Sequence, residues 1–456
     1  MNRKDKLFDA IHPEAINALN NKAEELIKLV KQQDAPRPDE KNQLSDRHPS
    51  HIIHSKDIIG EIKMSYTNAF GDDLGFVFHS QQQRYGILGQ AYGGLVKYAE
   101  EVQKQKRYCH VLSKKYLLAN LKIWIEKRYK NDENDDFISF IEKRSEESIR
   151  QCEIWIPIPY TEIANDFSLG KVKIRRMTKE IIDGWFKTDT IVNDKELKTK
   201  IDKYKNDIRC KHQGFAAVVC ECKAEPIKAK EIAFDLASDS LSVLRLFSPS
   251  SFSSRLICGA YEYGQNLVET RNVFILYPNN KEISESRELL DRGIHWKVPS
   301  NISQMLSDGE MSGLNEILLI DNKNDFQMKY YEALKIYSKQ TLKRNPFDKI
   351  LYILVALESI LLRNDTEPIQ QNLSERIAFT IANNVDDRKK IIKNIKDIYS
   401  IRSKYVHHAS QSVEETDKLD EFLKIAWHMF VAMSKLIRLY ETKDAYIDAL
   451  NNLKLS

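Results

Sequence analysis

The stretch RKKIIKNIKDIYSIRSKYV, residues 388–406, decides how the C-terminal third of this chain reads. Ile391, Ile395, Ile398 and Arg402 recur at steps of four, three and four, which places them on one face of an α-helix. Three members of that stripe are apolar and the fourth is a guanidinium. A second row, Lys389, Lys393, Lys396 and Lys404, runs along another face. From 386 to 404 there are seven basic residues and three acidic ones. Such a row is either a solvated face or a track for a phosphate backbone.

Outward from this stretch the pattern stays helical. FQMKYYEALKIYSKQTL (326–342) is one helix. Asn345 and Pro346 open a second, PFDKILYILVALESILLR, with proline in the first turn, where its missing N–H does no harm. A third covers roughly 373–383. The quoted helix is the fourth, preceded by Asp386 and Asp387. Ser412 and Glu415 form a capping-box pattern ahead of a fifth, 413–440. On the second helix Phe347, Ile350, Leu351, Leu354 and Leu361 mark an apolar face, and Glu358 sits inside it. A carboxylate there is costly unless paired, and Arg402 or His407 is the natural partner if the two helices pack.

Earlier parts of the chain read differently. Residues 13–33 are expected to be a helix with Pro13 near its start, followed by a polar, proline-containing linker, 34–50. From about 85 to 150 the periodicity is mostly helical. Near 152 the period changes. CEIWIPIPY suggests an edge strand by its prolines, and KVKIRRM, FAAVVCEC, RLICGAYEYG and NVFILY are further strand candidates. AKEIAFDLASDSLSVLRLF (228–247) is an amphipathic helix between them. The expected fold class is α+β overall. It comprises a mainly helical region over 1–150 of unassigned role, a mixed α+β middle over 151–300 and an all-α bundle over 301–456.

The chain has 456 residues, a net charge of +4, 42 % apolar and 30 % charged residues. That small excess marks no bulk polyanion binder, though a local basic surface is compatible with it. The N-terminus shows no apolar signal core, and no run of about 18 apolar residues suggests a membrane span. The six cysteines are scattered without a CxxC and read as reduced thiols, which points to the cytoplasm.

Three motifs invite chemistry and are better read as structure. The glycines of GILGQAYGG (86–94) lack a following Lys-Ser or Lys-Thr and suit close packing or a turn. His48, His51 and His54 have ligand-like spacing but no nearby cysteine and no obvious carboxylate partner. Cys220 and Cys222 lie in an apolar strand as small buried side chains. No metal or cofactor is expected.

Arg402 and His407 remain. Five residues at 100° each set them about 140° apart on an ideal helix, so one straight rod cannot aim both at one atom. Either the helix ends near His407, or two chains complete the site across a twofold axis. For Arg402 the alternative is a stem that packs while its head reaches water.

These residues carry a resemblance. ALESILL (356–362), IYSIRSKYVHH (398–408) and the helix order around them resemble a HEPN domain, in particular the Apea-like HEPN group of bacterial defence proteins. The similarity covers roughly 326–445. It extends more loosely to EIWIPIPYTEIANDFSLGKVKI and the AFDLASDSLSVLRLFSP helix, while residues 1–150 fall outside it. Arg402 and His407 match the family's R-x4-6-H motif. Ser403 stands where many members have Asn, Asp or His, and His408 where Apea-like members often have Gly. The resemblance implies an antiparallel bundle of four or five helices that homodimerises along the motif helix. It also implies metal-independent endoribonuclease activity on single-stranded or looped RNA. In that frame His407 is the acid–base group and Arg402 stabilises the phosphorane. Glu358 orients Arg402. Ser403, Tyr405 and His408 support the site, and Lys389, Lys393, Lys396 and Lys404 meet RNA. Expected partners are RNA, a second copy, and a phage-derived trigger or an antitoxin, with no membrane. The implied role is an antiviral, abortive-infection effector. The alternatives are a non-catalytic RNA-binding or dimerising HEPN module, or the toxin of a toxin–antitoxin pair.

Overall fold

A computed structural model of the chain describes residues 11–33, 66–67, 73–81, 83–186, 195–257, 260–261, 270–277, 282–289, 295–307, 309–364, 366–408 and 416–455. For some of these, residues 406–408 among them, the backbone alone is described. The chain is mixed α+β with a helical C-terminal region. It divides into two compact units: residues 1–152 with 222–231, and 153–221 with 232–456.

The first unit contains α1 (Pro13–Ile27), β1 (Lys31–Gln32), β2 (Tyr66–Thr67), β3 (Asp73–Ser80), β4 (Gln83–Leu88), α2 (Gly89–Gln103), α3 (Lys106–Cys109), α4 (Lys114–Tyr129) and α5 (Phe137–Ser148). Its helices bury a core that includes Leu95, Val102, Leu121, Trp124, Phe137 and Ile141. Two readings change here. The helix expected over 13–33 ends at Ile27 and gives way to β1. The helical pattern expected from 85 begins at Gly89, because residues 83–88 pair antiparallel with β3 in a sheet of order β1–β4–β3–β2. Gly86 makes that pairing possible, since a Cβ there would meet the Phe76 carbonyl oxygen at 2.4 Å. The glycine stretch 86–94 therefore joins a strand to a helix, a context the sequence did not reveal. The histidines at 48, 51 and 54 lie outside the described residues.

Next come β5 (Arg150–Ile158), β6 (Thr161–Glu162), β7 (Phe167–Leu169), β8 (Val172–Arg176), α6 (Lys179–Gly184), α7 (Lys195–His212), β9 (Ala216–Ala224) and α8 (Pro226–Leu244), all in the second unit from Glu153 on except residues 222–231. The order β5–β9–β8–β7 puts the proline-bearing β5 at the sheet's edge, where lost ladder donors cost least. Then come β10 (Thr270–Tyr277), β11 (Glu282–Leu289), β12 (Trp296–Lys297), α9 (Ile302–Ser307) and α10 (Ser312–Leu319). β10 and β11 form an antiparallel hairpin, and β12 pairs parallel with β6. The strand expected over 255–264 is not formed at its described positions, 255–257 and 260–261. There the buried Lys349 ammonium donates to the carbonyls of Ser253 and Leu256 at 3.0 and 2.6 Å, and Arg245 donates to that of Ala260 at 2.7 Å. Side chains take carbonyls that a sheet would otherwise use.

The helical region is α11 (Asp325–Ser338), α12 (Pro346–Leu361), α13 (Ile369–Ile381), α14 (Val385–His408), α15 (Thr416–Leu436) and α16 (Lys443–Leu455). Asn324 and Gln327 close a capping box on α11. Asn345 accepts the Phe347 N–H at 2.9 Å with Pro346 in the first turn of α12. Asn384 accepts the Asp387 N–H at 2.9 Å at the start of α14. The expected Ser412 cap lies outside the described residues. One apolar core runs from Ile156 of β5 to Leu450 of α16, so middle and C-terminal stretches share it. Gly313 of α10 is required where that helix meets α15, since a Cβ would sit 1.9 Å from the Ser434 carbonyl oxygen.

Candidate functional site

α14 is fixed along its length before it reaches the candidate residues. Ile395 and Ile398 are fully buried and Ile391 packs against the same core. Each buried isoleucine contributes about 1.5–3 kcal/mol. Asn394 donates to the Lys418 carbonyl at 3.0 Å, and Lys418 pairs with Asp397 at 2.8 Å, which joins α14 to α15. Gln370 at the start of α13 donates to the Lys396 carbonyl at 3.3 Å.

One turn beyond Ile395 the stripe becomes polar. The Tyr399 hydroxyl donates to Glu358 Oε1 at 2.7 Å, and Arg402 Nη1 reaches the same oxygen at 3.4 Å. The guanidinium carbon lies 6.0 Å from the Tyr399 ring centre. Glu358 is thus paired as its place on an apolar face demanded, and Arg402 is the partner. Tyr399 was not anticipated. The signal for it was its i,i+3 spacing from Arg402 within the isoleucine stripe.

The two contacts to Glu358 differ in kind. At 2.7 Å the tyrosine bond is short and firm, whereas 3.4 Å is long for a charge-assisted bond, which normally closes to about 2.7–2.9 Å. Burial pushes the Tyr399 hydroxyl well above its ordinary pKa. The Glu358 hydrogen bond and negative charge add to that rise, and Arg402 opposes it. Tyr399 therefore stays protonated and acts as a donor. Arg402, its side chain 36 % exposed, makes this one ion pair among the described residues. Most of its five N–H donors remain to be offered to an anion.

The other expected residues are placed as follows. Ser403, Lys389, Lys393, Lys396 and Lys404 are exposed. Tyr405 is engaged elsewhere: its hydroxyl accepts from Asn345 at 2.9 Å, and its ring stacks on Phe347 at 4.7 Å and 13°. It pins α14 to the start of α12. His407 and His408 are the last two residues of α14, and their side chains lie outside the described residues. The helix end expected near 407–410 falls at the edge of the described residues, since 409–415 lie outside them. By rotation at 100° per residue, position 407 lines up with 389, 393 and 396 to within about 40°, with Arg402 on the opposite flank.

Cys220 is buried in β9, and Cys222 is partly buried with its thiol 4.0 Å from the Ala229 carbonyl. Among the described residues no group of three or more His, Cys, Asp or Glu is placed to hold a metal. No helix among them is long and apolar enough to cross a membrane. No family model, curated protein or solved structure matches the chain.

Proposed function

We propose that the chain is an RNA endonuclease effector of HEPN type, acting in the cytoplasm as a homodimer in antiviral defence. The observation that supports it is the Arg402 guanidinium, steered by Glu358 and Tyr399 on a rigid helix yet held by a single long contact. The exposed lysine row on the same helix supports a path for the RNA backbone.

The chemistry is internal transesterification. A base removes the proton of a ribose 2′-OH, and that oxygen attacks the adjacent phosphorus. The bond from phosphorus to the 5′-oxygen breaks, and an acid returns a proton to the leaving oxygen. The products are a 2′,3′-cyclic phosphate and a 5′-hydroxyl. An imidazole ordinarily changes charge near neutral pH, so the histidine at 407 suits either proton transfer. Arg402 suits the extra negative charge of the phosphorane through paired donors. Because 402 and 407 are about 140° apart on the rod, two copies supply one site, the imidazole of one facing the guanidinium of the other. An activity of this kind needs restraint in the cell. We assign that restraint to the stretches before 301, with a phage-derived trigger or a separate antitoxin as its relief.

The test is induction of wild type, Arg402→Ala and His407→Ala in bacteria, with and without phage infection, followed by sequencing of RNA ends. New 5′-hydroxyl ends that vanish in both variants support the reading. Intact RNA under every condition, with RNA retained by the purified protein, replaces it with the binding module.

A further inference from the structure

Outside the Arg402 cluster, the second unit exposes aromatic rings edged by lysines. Trp185, just after α6, is 40 % exposed, and Tyr204 of α7 is 61 % exposed. Trp155 of β5 meets Trp185 edge-on with ring centres 5.4 Å apart, and Phe186 meets Tyr204 edge-on at 6.1 Å. The Arg175 guanidinium lies 5.0 Å from the Trp155 ring centre. The inner rings are anchored. Trp155, Phe186 and Ile208 pack on the buried Met177, Ile182 and Ala217. Asp183 of α6 takes Lys205 and Arg209 of α7 as ion-pair partners. That anchoring accounts for Trp155 and Phe186. It does not account for the two further rings, which lie exposed beside the anchored ones.

The charge around them is one-sided. α7 carries seven lysines and arginines against three carboxylates. Lys200 and Lys211, four before and seven after Tyr204, share its side of the helix. Lys200 pairs with Glu196 and Lys211 with Asp207 in exposed i,i+4 ion pairs, a kind that contributes little. Lys198 and Lys203 are exposed as well. Of the acidic groups nearby, Glu153 is engaged by the Trp155 indole, Asp166 by Arg175 and Glu221 by Lys173, while Asp202 on α7 is exposed.

We propose that this surface binds single-stranded nucleic acid, bases stacking on Trp185 and Tyr204 while phosphates lie along the α7 lysines. Every base offers a π-face, so such a platform reads strand state and little sequence. A positive excess beside exposed rings suits a polyanion with flat bases better than a protein partner. The inference stands apart from the nuclease reading, because none of these residues belongs to the Arg402 cluster.

The experiment uses the full chain carrying His407→Ala and fluorescein-labelled 15-nucleotide oligo(U), 15-nucleotide oligo(dT) and a 15-base-pair DNA duplex, read by anisotropy at 50 and 300 mM salt. Both single strands bind more tightly than the duplex. Trp185→Ala and Tyr204→Ala each weaken binding about tenfold, while the phenylalanine variants retain it. Lys200→Ala with Lys211→Ala flattens the salt dependence. A preference for oligo(U) assigns RNA, one for oligo(dT) assigns DNA, and equal affinity assigns either strand. Tyr204 is exposed enough that its loss leaves circular dichroism unchanged. The proposal is overturned if neither strand binds at micromolar protein or if the duplex binds as tightly. It is also overturned if the alanine variants bind like the parent while Lys389→Ala, Lys393→Ala and Lys396→Ala in α14 abolish binding. Cleavage assays on the unsubstituted His407 chain judge the nuclease reading alone.

Discussion

Arg376 of α13 and Arg402 of α14 each face a glutamate within one helical region, yet the two pairs are built to different ends. The Arg376 side chain is 3 % exposed. It donates to Glu367 at 2.7 and 3.1 Å, fork to fork, and to the Leu361 carbonyl at 2.5 Å. That carbonyl belongs to the end of α12, so the arginine closes one helix terminus while standing on another. The Arg376 hydrogen bond and charge hold the Glu367 carboxyl below its usual range, against the opposing effect of burial. Arg402 touches its glutamate once, at 3.4 Å, and Tyr399 takes the better place on that carboxylate. The first guanidinium turns both terminal nitrogens onto the fold, while its Nε is buried without a hydrogen-bond partner. The second has most of its donors left, and a guanidinium built into the fold and one still available are thus told apart by geometry, since residue type is the same in both.

The largest expected effect lies at the second pair. Arg402→Ala or His407→Ala lowers RNA cleavage by at least about 100-fold, in line with removing one charge-stabilising donor or the acid–base group. Both keep the wild-type urea midpoint. An Arg402→Ala chain that unfolds instead would make this pair a strut too, and the contrast would be gone.

At the first pair the effect moves from activity to stability. Arg376→Ala takes the cation from the partly buried Glu367 and the donor from the Leu361 carbonyl, and costs about 1.5–3 kcal/mol, measured by urea unfolding. Cleavage per folded molecule stays unchanged. The pair also sets a pH dependence. Because the folded Glu367 pKa is depressed, its contribution is fully present above the unfolded carboxylate value of about 4.3 and is lost as pH falls through the folded value. Arg376→Met with Glu367→Gln flattens that acid limb of stability while cleavage above pH 6 keeps its profile.

Smaller changes sharpen the difference. Tyr399→Phe removes the firm donor from Glu358 and costs about 1 kcal/mol in stability. With Tyr399 gone, Arg402 closes on the carboxylate and is withheld from phosphate, so kcat falls severalfold with KM little changed. Equal kcat in the two proteins would mean that Tyr399 merely fills space. The smallest effect is at Lys393, exposed on α14. Lys393→Ala shifts stability by less than about 0.5 kcal/mol and lowers the salt slope of RNA binding by about one.

Much of this was legible in the chain. The stripe of isoleucines ending in Arg402 put that guanidinium beside a packed helix face, and Glu358 in an apolar run demanded a cation. What escaped was local competition. Residues 85–88 read as helix, yet the backbone approach at Gly86 lets them pair as a strand. The strand expected over 255–264 fails at its described positions, where Lys349 and Arg245 take its carbonyls. Tyr405, read as a site residue, is instead drawn to Asn345 and Phe347.

The sequence by itself determined which faces are apolar, that Pro13 and Pro346 open helices, and that Glu358 needs a partner, because periodicity and capping are local and burial of a bare charge is prohibitive. Only the tertiary structure decided that Tyr399 holds the glutamate first and Arg402 second, and that Arg376 is consumed by the fold. Those outcomes depend on distances between helices that follow one another at long range. A difference of less than an ångström in such a distance separates a committed guanidinium from an available one.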